Sequence, residues 1–278
     1  MDVSQLIKSA TEQLLNQSDS PRLDAEVLLA HSLQKNRTWL ATWPDKVLVE
    51  SDINQFNKLL QRRLCGEPIA HITGTREFWS LPLTVTADTL IPRPDTELII
   101  EKILDMYPAN TDITLADLGT GSGAIALALA SERPHWKITA TDQSANALEI
   151  AKQNAHSLSL VNVTFKLGNW FEPLDGDTYD VIVSNPPYIP QGDPHLIQGD
   201  ARFDPITALA SGDDGLDDIR QITAQARHHL KKQGRLFIEH GYDQKSEMLD
   251  IFTKNGFKEI RQAHDIANNP RITFAEKA

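Results

Sequence analysis

Two stretches of this 278-residue sequence combine residue types that chemistry needs. In the first, Thr114-Leu115-Ala116-Asp117-Leu118 runs into Gly119-Thr120-Gly121-Ser122-Gly123, and Ala124-Ile125-Ala126-Leu127-Ala128 continues as a helix former. A strand that turns through a glycine loop into a helix is the arrangement of a nucleotide site, because glycine lets the backbone approach a ligand and free amides at the helix start face it. Alone the loop is a common feature, and dinucleotide enzymes carry a similar one. Its context adds weight. Asp142 closes the next apolar run, 137–141, where an acid meets ribose hydroxyls and can accept from both; the alternative is a cap for the helix after it. Leu167-Gly168-Asn169-Trp170-Phe171 follows the third run, which places Trp170 against an adenine ring and Asn169 at its edge unless both aromatics are core.

The second stretch is Asn185-Pro186-Pro187-Tyr188, at the end of the apolar run Val181-Ile182-Val183-Ser184. Two prolines fix φ and remove two backbone donors, so the segment is rigid and presents acceptors. The Asn185 Oδ1 and the Pro186 carbonyl together can grip both hydrogens of a planar NH2 group. An amide nitrogen shares its lone pair with its carbonyl and is a poor nucleophile; holding both hydrogens localises that pair and aims it at an electrophilic methyl group. No strong base is needed before attack, and Tyr188 offers a flat face to the planar group. An ordinary proline-rich loop is the competing reading.

These residues need a scaffold, and the pattern supplies one. Apolar runs at 113–118, 137–141, 163–167, 181–184 and 235–239 alternate with helical segments, with 257–261 and 271–274 closing a sheet, which predicts an α/β fold with a seven-stranded, mostly parallel sheet over residues 93–278. Residues 76–92 read as a β-hairpin linker, strand-like from Glu77 to Ile91. Residues 1–75 read as a small helical domain: Val3 and Ile7, then Leu6, Ala10 and Leu14, recur on one helical face. Ser20-Pro21 opens a second helix and Ser51 a third. No chemical constellation falls in this domain, so it reads as a folding or substrate-docking module.

Composition sets limits. Hydrophobic residues make 40% and charged residues 23% of the chain, and no apolar run is long enough for a membrane span. The start, Met1-Asp2-Val3-Ser4-Gln5, does not resemble a secretory signal, and the single cysteine, Cys65, excludes an internal disulfide; both favour the cytoplasm. A net charge of −11 disfavours a phosphate backbone as partner, so no stable nucleic-acid binding is expected. The basic pairs Arg62-Arg63 and Lys231-Lys232 read as solvated helix faces.

At this point the sequence resembles the class I methyltransferases, and more narrowly the HemK/PrmC type of protein-(glutamine-N5) methyltransferase. The resemblance covers nearly the whole chain. It rests on Arg22-Leu23-Asp24-Ala25-Glu26, Gly66-Glu67-Pro68-Ile69-Ala70, Arg76-Glu77-Phe78-Trp79, Leu90-Ile91-Pro92-Arg93-Pro94-Asp95-Thr96-Glu97, the 117–123 loop, Asn185-Pro186-Pro187-Tyr188, and Asp213-Asp214 before Gly215-Leu216. The resemblance implies a Rossmann-like fold and S-adenosyl-L-methionine as cofactor, with S-adenosyl-L-homocysteine as product and no metal. It implies bacterial peptide chain release factors as protein substrates, methylated on the glutamine of a Gly-Gly-Gln motif. It assigns Gly119, Thr120, Gly121, Ser122, Gly123, Asp142, Trp170 and Asn185 to the cofactor, and Asn185, Pro186, Pro187 and Tyr188 to the substrate amide. Arg93, Thr96 and Glu97 are expected near the methionine end. The chain departs from the family pattern at Asn169 and at Asp204-Pro205, where relatives carry aspartate and Glu-Pro. Two other readings stand beside this one: an adenine-N6 DNA or RNA methyltransferase, which uses the same grip on an extruded base, and a non-catalytic nucleotide-binding scaffold.

Overall fold

The apolar stripe on residues 3–14 forms helix α1 (Val3–Leu14), started by Asp2, whose carboxylate accepts the Gln5 amide at 2.8 Å while the Gln5 side chain accepts the Asp2 amide. This reciprocal bonding satisfies donors that a helix start otherwise exposes. The computed structural model describes residues 1–174 and 176–278, which divide into two units, Met1–Thr75 and Arg76–Ala278.

In the first unit α1 is followed by α2 (Pro21–Ser32), α3 (Arg37–Thr42), α4 (Glu50–Leu64) and α5 (Ile69–Thr73). Leu6, Ala10 and Leu14 pack with Leu28, Leu29, Phe56 and Leu60 in one core. Ser20 does precede α2, but its hydroxyl meets Asp24 rather than a backbone amide. The third long helix starts before Ser51, at Glu50, with Glu50 and Asp52 in its first turn, where carboxylates suit the helix dipole. Arg63 is not on a solvated face. It is buried against Asp24, 2.8 Å away, while Arg22 and Arg37 both bond Glu26. The Arg22–Glu26 motif is therefore structural: breaking the buried pair would cost about 3–5 kcal/mol because the remaining charge would have no counterpart.

The second unit begins with a hairpin, β1 (Thr75–Phe78) and β2 (Leu81–Thr84), turned by Trp79 and Ser80, both at positive φ, as a tight hairpin turn demands. The Glu97 carboxylate takes the Trp79 amide at 2.8 Å, and the indole donates to Glu132, also at 2.8 Å. The strand-like run expected as far as Ile91 ends early. At 86–89 the threonine side chains bond neighbouring backbone groups and bend the chain.

Among the described residues the main sheet has seven strands: β3 (Thr114–Leu118), β4 (Lys137–Asp142), β5 (Val163–Leu167), β6 (Tyr179–Ser184), β7 (Leu230–Glu239), β8 (Phe257–His264) and β9 (Pro270–Lys277). They lie in the order β5-β4-β3-β6-β7-β9-β8, parallel except for β9, which runs against both neighbours. Helices α6 (Glu97–Met106), α7 (Ala124–Glu132) and α8 (Ala145–Ser157) cover one face, while α9 (Asp217–His229) and α10 (Lys245–Lys254) cover the other. Successive strand residues feed opposite layers: Val181 and Val183 enter the first core and Ile182 the second. Burial on both faces is why the central strands β3 and β6 read as nearly continuous apolar runs. Lys231-Lys232 lies in β7, not on a helix, at a register shift opposite β6, and the Lys231 ammonium bonds Asp180 at 2.8 Å.

The strand order places a reversal at β3. From there the chain steps outward through β4 and β5, then crosses back to β6 on the other side. In open α/β sheets such a switch point leaves a crevice at the carboxyl ends of the strands, and this is where ligands bind.

Candidate active site

Four strand ends meet at that crevice. Leu118 pairs with Thr141 on one side and with Ser184 on the other, and Asp142 pairs with Leu167. The glycine loop, Asp142, the 168–170 turn and Asn185 therefore emerge side by side. The Ser184 hydroxyl donates to the Leu118 carbonyl at 2.7 Å, fastening the two central ends together.

The glycine loop is held from beneath. The Gly119 and Thr120 amides both donate to the Thr141 carbonyl at 2.9 Å, and the Gly123 amide to the Thr120 carbonyl at 2.8 Å. The Gly121 amide donates to Asp142 at 2.9 Å. These four loop amides are engaged within the protein, so at 119–121 the loop offers close backbone approach. Glycine is required at 119, at φ +71°, because a Cβ there would come 3.0 Å from the Trp170 ring. At Gly121, φ +57°, a Cβ would meet nothing within 4 Å, so this part of the loop faces open space. Gly123 starts α7, and a Cβ there would press on Leu127.

Asp142 is not the cap of α8; Ser144 is, accepting the Ala147 amide. Each Asp142 oxygen takes one backbone amide, Oδ1 from Ser144 at 2.8 Å and Oδ2 from Gly121 at 2.9 Å. Burial pushes its carboxyl above the usual range, and these amides pull it back. A carboxylate has about four acceptor sites, so acceptor capacity remains on Asp142 beside the cavity it lines. Behind it, Asp117 is fully buried, accepts the Thr120 hydroxyl at 2.6 Å and the Ala126 amide, and is pushed up to about 7 by burial.

A cavity of about 270 Å3 opens here, lined by Gly119, Gly121, Asp142, Asn169, Trp170, Asn185 and Pro187 among the expected residues. A smaller cavity of about 50 Å3 includes Thr96, Thr120, Ser122 and again Gly119, Gly121 and Asn185. Pro186, Tyr188, Gly123, Arg93 and Glu97 line neither, and Tyr188 instead borders a separate cavity with Ile189, Gln244 and Arg271. Trp170, at φ +46°, is both cavity wall and core residue, whereas Phe171 is core alone, stacked on His229 at 4.7 Å.

Residues not anticipated from the sequence complete the wall. Ala87, Asp88, Thr89 and Leu90 come from one loop, and Pro205, Thr207 and Ala208 from another. Asp204 joins the two loops: its buried carboxylate accepts the Ile91 amide at 3.1 Å and pairs with Arg93. This explains Asp204 and Arg93 together, as a clasp beside the cavity. A lone acid among 3-10 turns carried no periodic signal that could have located it.

In the grip segment, the Asn185 Nδ2 donates to the Thr96 Oγ1 at 3.2 Å, and no described residue donates to its Oδ1. The Tyr188 hydroxyl points away to the Glu239 Oε1, 3.5 Å off, and burial keeps the phenol well above its ordinary pKa. The Tyr188 carbonyl accepts from Gln244 at 2.9 Å and would sit 2.2 Å from a Cβ at Gly215. Glycine at 215 therefore lets the 213–216 turn pack directly under the grip. Beyond it, Ile189 and Gln191 bond with Leu209, Ser211 and Gly212 in a short ladder.

Residues 5–74 match the family described as the PrmC N-terminal domain, and residues 95–198 the methyltransferase small domain. The chain is similar to the release factor glutamine methyltransferase of Vibrio cholerae, 50% identical over 97% of this chain and 95% of that one. It is similar to the proteins of the same name from Aliivibrio fischeri (46%; 99% and 98%) and Escherichia coli (45%; 99% and 98%). Among solved structures it resembles a methyltransferase from Pyrococcus furiosus in fold, with TM-score 0.55 and 18% identity over 80% of this chain and 99% of that one.

Proposed function

The chain belongs to the release factor glutamine methyltransferases, and from that premise we propose that it transfers the methyl group of S-adenosyl-L-methionine to the side-chain amide nitrogen of the glutamine in a Gly-Gly-Gln loop of a peptide chain release factor. The observation that carries this reading is the orientation of Asn185. Its amide NH2 is engaged by Thr96, which leaves Oδ1 as a bare acceptor beside the cavity that Asp142 and the glycine loop also line.

The residues at the crevice fit the cofactor. Gly119 and Gly121 allow close approach, Asp142 keeps acceptor capacity for the two ribose hydroxyls, and Trp170 and Asn169 wall the space for adenine. Thr120 and Ser122 belong to the smaller cavity toward Thr96, where the methionine end belongs. When bound, the cofactor supplies an electrophilic methyl group on a sulfonium. Everything else falls to the chain. The Asn185 Oδ1 and the Pro186 carbonyl accept the two hydrogens of the glutamine amide, and Pro187 and Tyr188 hold its plane. Fixing both hydrogens turns the nitrogen lone pair out of conjugation and toward the methyl group, and the surplus proton leaves after transfer. A preorganised group of this kind lowers the barrier by about 2.7–4 kcal/mol.

The helical unit serves substrate docking in this reading. It carries a cleft of about 1010 Å3 lined by Ile7, Lys8, Thr11, Arg37 and Thr38, and no chemistry gathers there. The charge of −11 supports a protein substrate over nucleic acid. No described helix is long and apolar enough to cross a membrane, and the cytoplasm, where release factors work, is the proposed location. Incubating the enzyme with labelled S-adenosyl-L-methionine and a release factor, then mapping the label by mass spectrometry, tests the whole reading. The methyl group is expected on the loop glutamine, absent when that residue is replaced and indifferent to nuclease. Label found only on DNA or RNA would overturn it.

A further inference from the structure

Residues 87–96 run beside the crevice and wall both of its cavities. Ala87, Asp88, Thr89 and Leu90 line the larger one, and Leu90, Pro92 and Thr96 the smaller. Ile91 and Arg93, set between these, line neither. They are the two positions that Asp204 holds. Its Oδ1 accepts the Ile91 amide at 3.1 Å and its Oδ2 pairs with the Arg93 guanidinium. The Asp204 side chain is wholly buried, and Arg93 reaches it from a partly exposed position. With a guanidinium on one oxygen and a backbone amide on the other, the carboxylate makes the strong, charge-assisted kind of bond.

What this carboxylate fixes extends along the chain in both directions. The Arg93 carbonyl accepts the Thr96 amide at 3.1 Å, closing the 3-10 turn Pro94–Thr96, and the Thr96 hydroxyl oxygen then receives the Asn185 Nδ2 at 3.2 Å. Toward the other end, Asp88 accepts from the Asn146 Nδ2 of α8 at 3.1 Å. That bond is exposed to water, which competes for both partners, so the buried Asp204 is the firmer of the two attachments. Asp204 also opens the second loop of the site, since Pro205, Thr207 and Ala208, which follow it, line the larger cavity. One buried acid therefore joins two loops that wall the same space.

We propose that Asp204 is a positioning residue for the cofactor: by holding Ile91 and Arg93 it sets Leu90 and Pro92 against the glycine loop, and through Arg93 it places Thr96 beside Asn185. Asp204 itself lines neither cavity and acts only through these residues. This rests on the assignment of the crevice to S-adenosyl-L-methionine made above, and not on the choice of glutamine as acceptor. Asparagine at 204 separates the two bonds. Its side-chain oxygen can still accept the Ile91 amide, but its NH2 is then turned toward the Arg93 guanidinium, donor against donor. Alanine removes both bonds.

The test measures binding of S-adenosyl-L-homocysteine to wild type, D204N, D204A, R93Q and I222A by calorimetry, at a temperature where thermal unfolding shows the variants folded. D204N is expected to raise Kd about tenfold, through faster dissociation and not slower association, and D204A to raise it further. R93Q is expected to resemble D204N, and the double variant D204N/R93Q to bind no more weakly than the weaker single one, because both changes break one contact. I222A removes core volume beside α9 and lowers stability without touching the crevice, so its Kd should match wild type. If D204N and R93Q stay within twofold of wild type, or if I222A weakens binding as much as they do, Asp204 merely supports the fold, and this proposal is overturned while the cofactor reading stands. Should D204N not fold, R93Q decides by the same limits. Wild type that does not bind S-adenosyl-L-homocysteine overturns the cofactor reading, and this proposal with it.

Discussion

Asp142 offers a sharp test because it faces two ways. Toward the cavity it is the proposed acceptor for the ribose hydroxyls; toward the protein, each of its oxygens already takes a backbone amide, from Ser144 and Gly121. Asp142→Asn keeps the shape but turns an NH2 against one of those two N–H groups. A buried donor left without a partner costs about 1–3 kcal/mol, so the fold itself is expected to weaken, by about 2–4 °C in Tm for each kcal/mol in a chain of this size. Cofactor affinity falls separately. Loss of hydrogen bonds to a charged group is worth about 1.5–3 kcal/mol, on the order of a ten- to hundredfold rise in Kd. Calorimetry of cofactor binding and thermal unfolding of the free protein read the two effects independently. Burial holds the Asp142 carboxyl above its usual range, so wild-type affinity is also expected to fall as pH drops through that raised pKa, while the variant stays level. An unchanged Kd in Asp142→Asn would refute the ribose assignment, and an unchanged Tm would refute the account of the loop.

Asn185→Ala is expected to lower kcat by about 100- to 1,000-fold with cofactor Kd within a few-fold, since its Oδ1 faces the acceptor; activity within threefold of wild type, measured beside calorimetric binding, would remove it from the grip. Asp117 and Glu239 are both raised to about 7 by burial, so between about pH 4 and 7 the native state holds more protons than the unfolded chain and their contribution to stability is lost as pH rises through 7. Urea unfolding at pH 5.5 and 7.5 is expected to show this slope, reduced in Asp117→Asn; a slope unaltered by that change would contradict it. Lys8→Glu, in the cleft of the helical unit, is expected to raise KM for an intact release factor at least threefold while leaving cofactor binding unchanged, and equal KM values would make that cleft irrelevant to docking.

What the sequence discloses, and what it hides, follows from range. The 181–184 strand and the glycine loop are local patterns, a buried apolar run and a turn that glycine permits, and both are found where the residues predict. β7 is longer than its apolar part because Lys231 and Lys232 sit in a register shift whose partner, Asp180, is far away in sequence. Arg63 looks like a surface charge until Asp24 is brought against it from another helix. The same limit applies to the crevice. Asp142, Trp170 and Asn185 lie at or after the ends of successive strands and can be placed by counting elements, whereas Asp204 and Thr207 reach the site through 3-10 turns that no periodicity marks. Asn185 was legible as a residue, but its orientation depends on Thr96 and so only appears in three dimensions.

The hydrogen bond from Ser184 to Leu118 makes the sheet a ruler. Neighbouring strands lie about 4.8 Å apart, and here the segment proposed to cradle the methyl donor and the segment proposed to grip the acceptor leave two adjacent strands at paired positions. Their separation is set by backbone geometry and not by how far a loop closes. Donor and acceptor are gauged before either arrives, so changes in the loops beyond, at 189–212, can alter which acceptor enters without altering how far the methyl group travels.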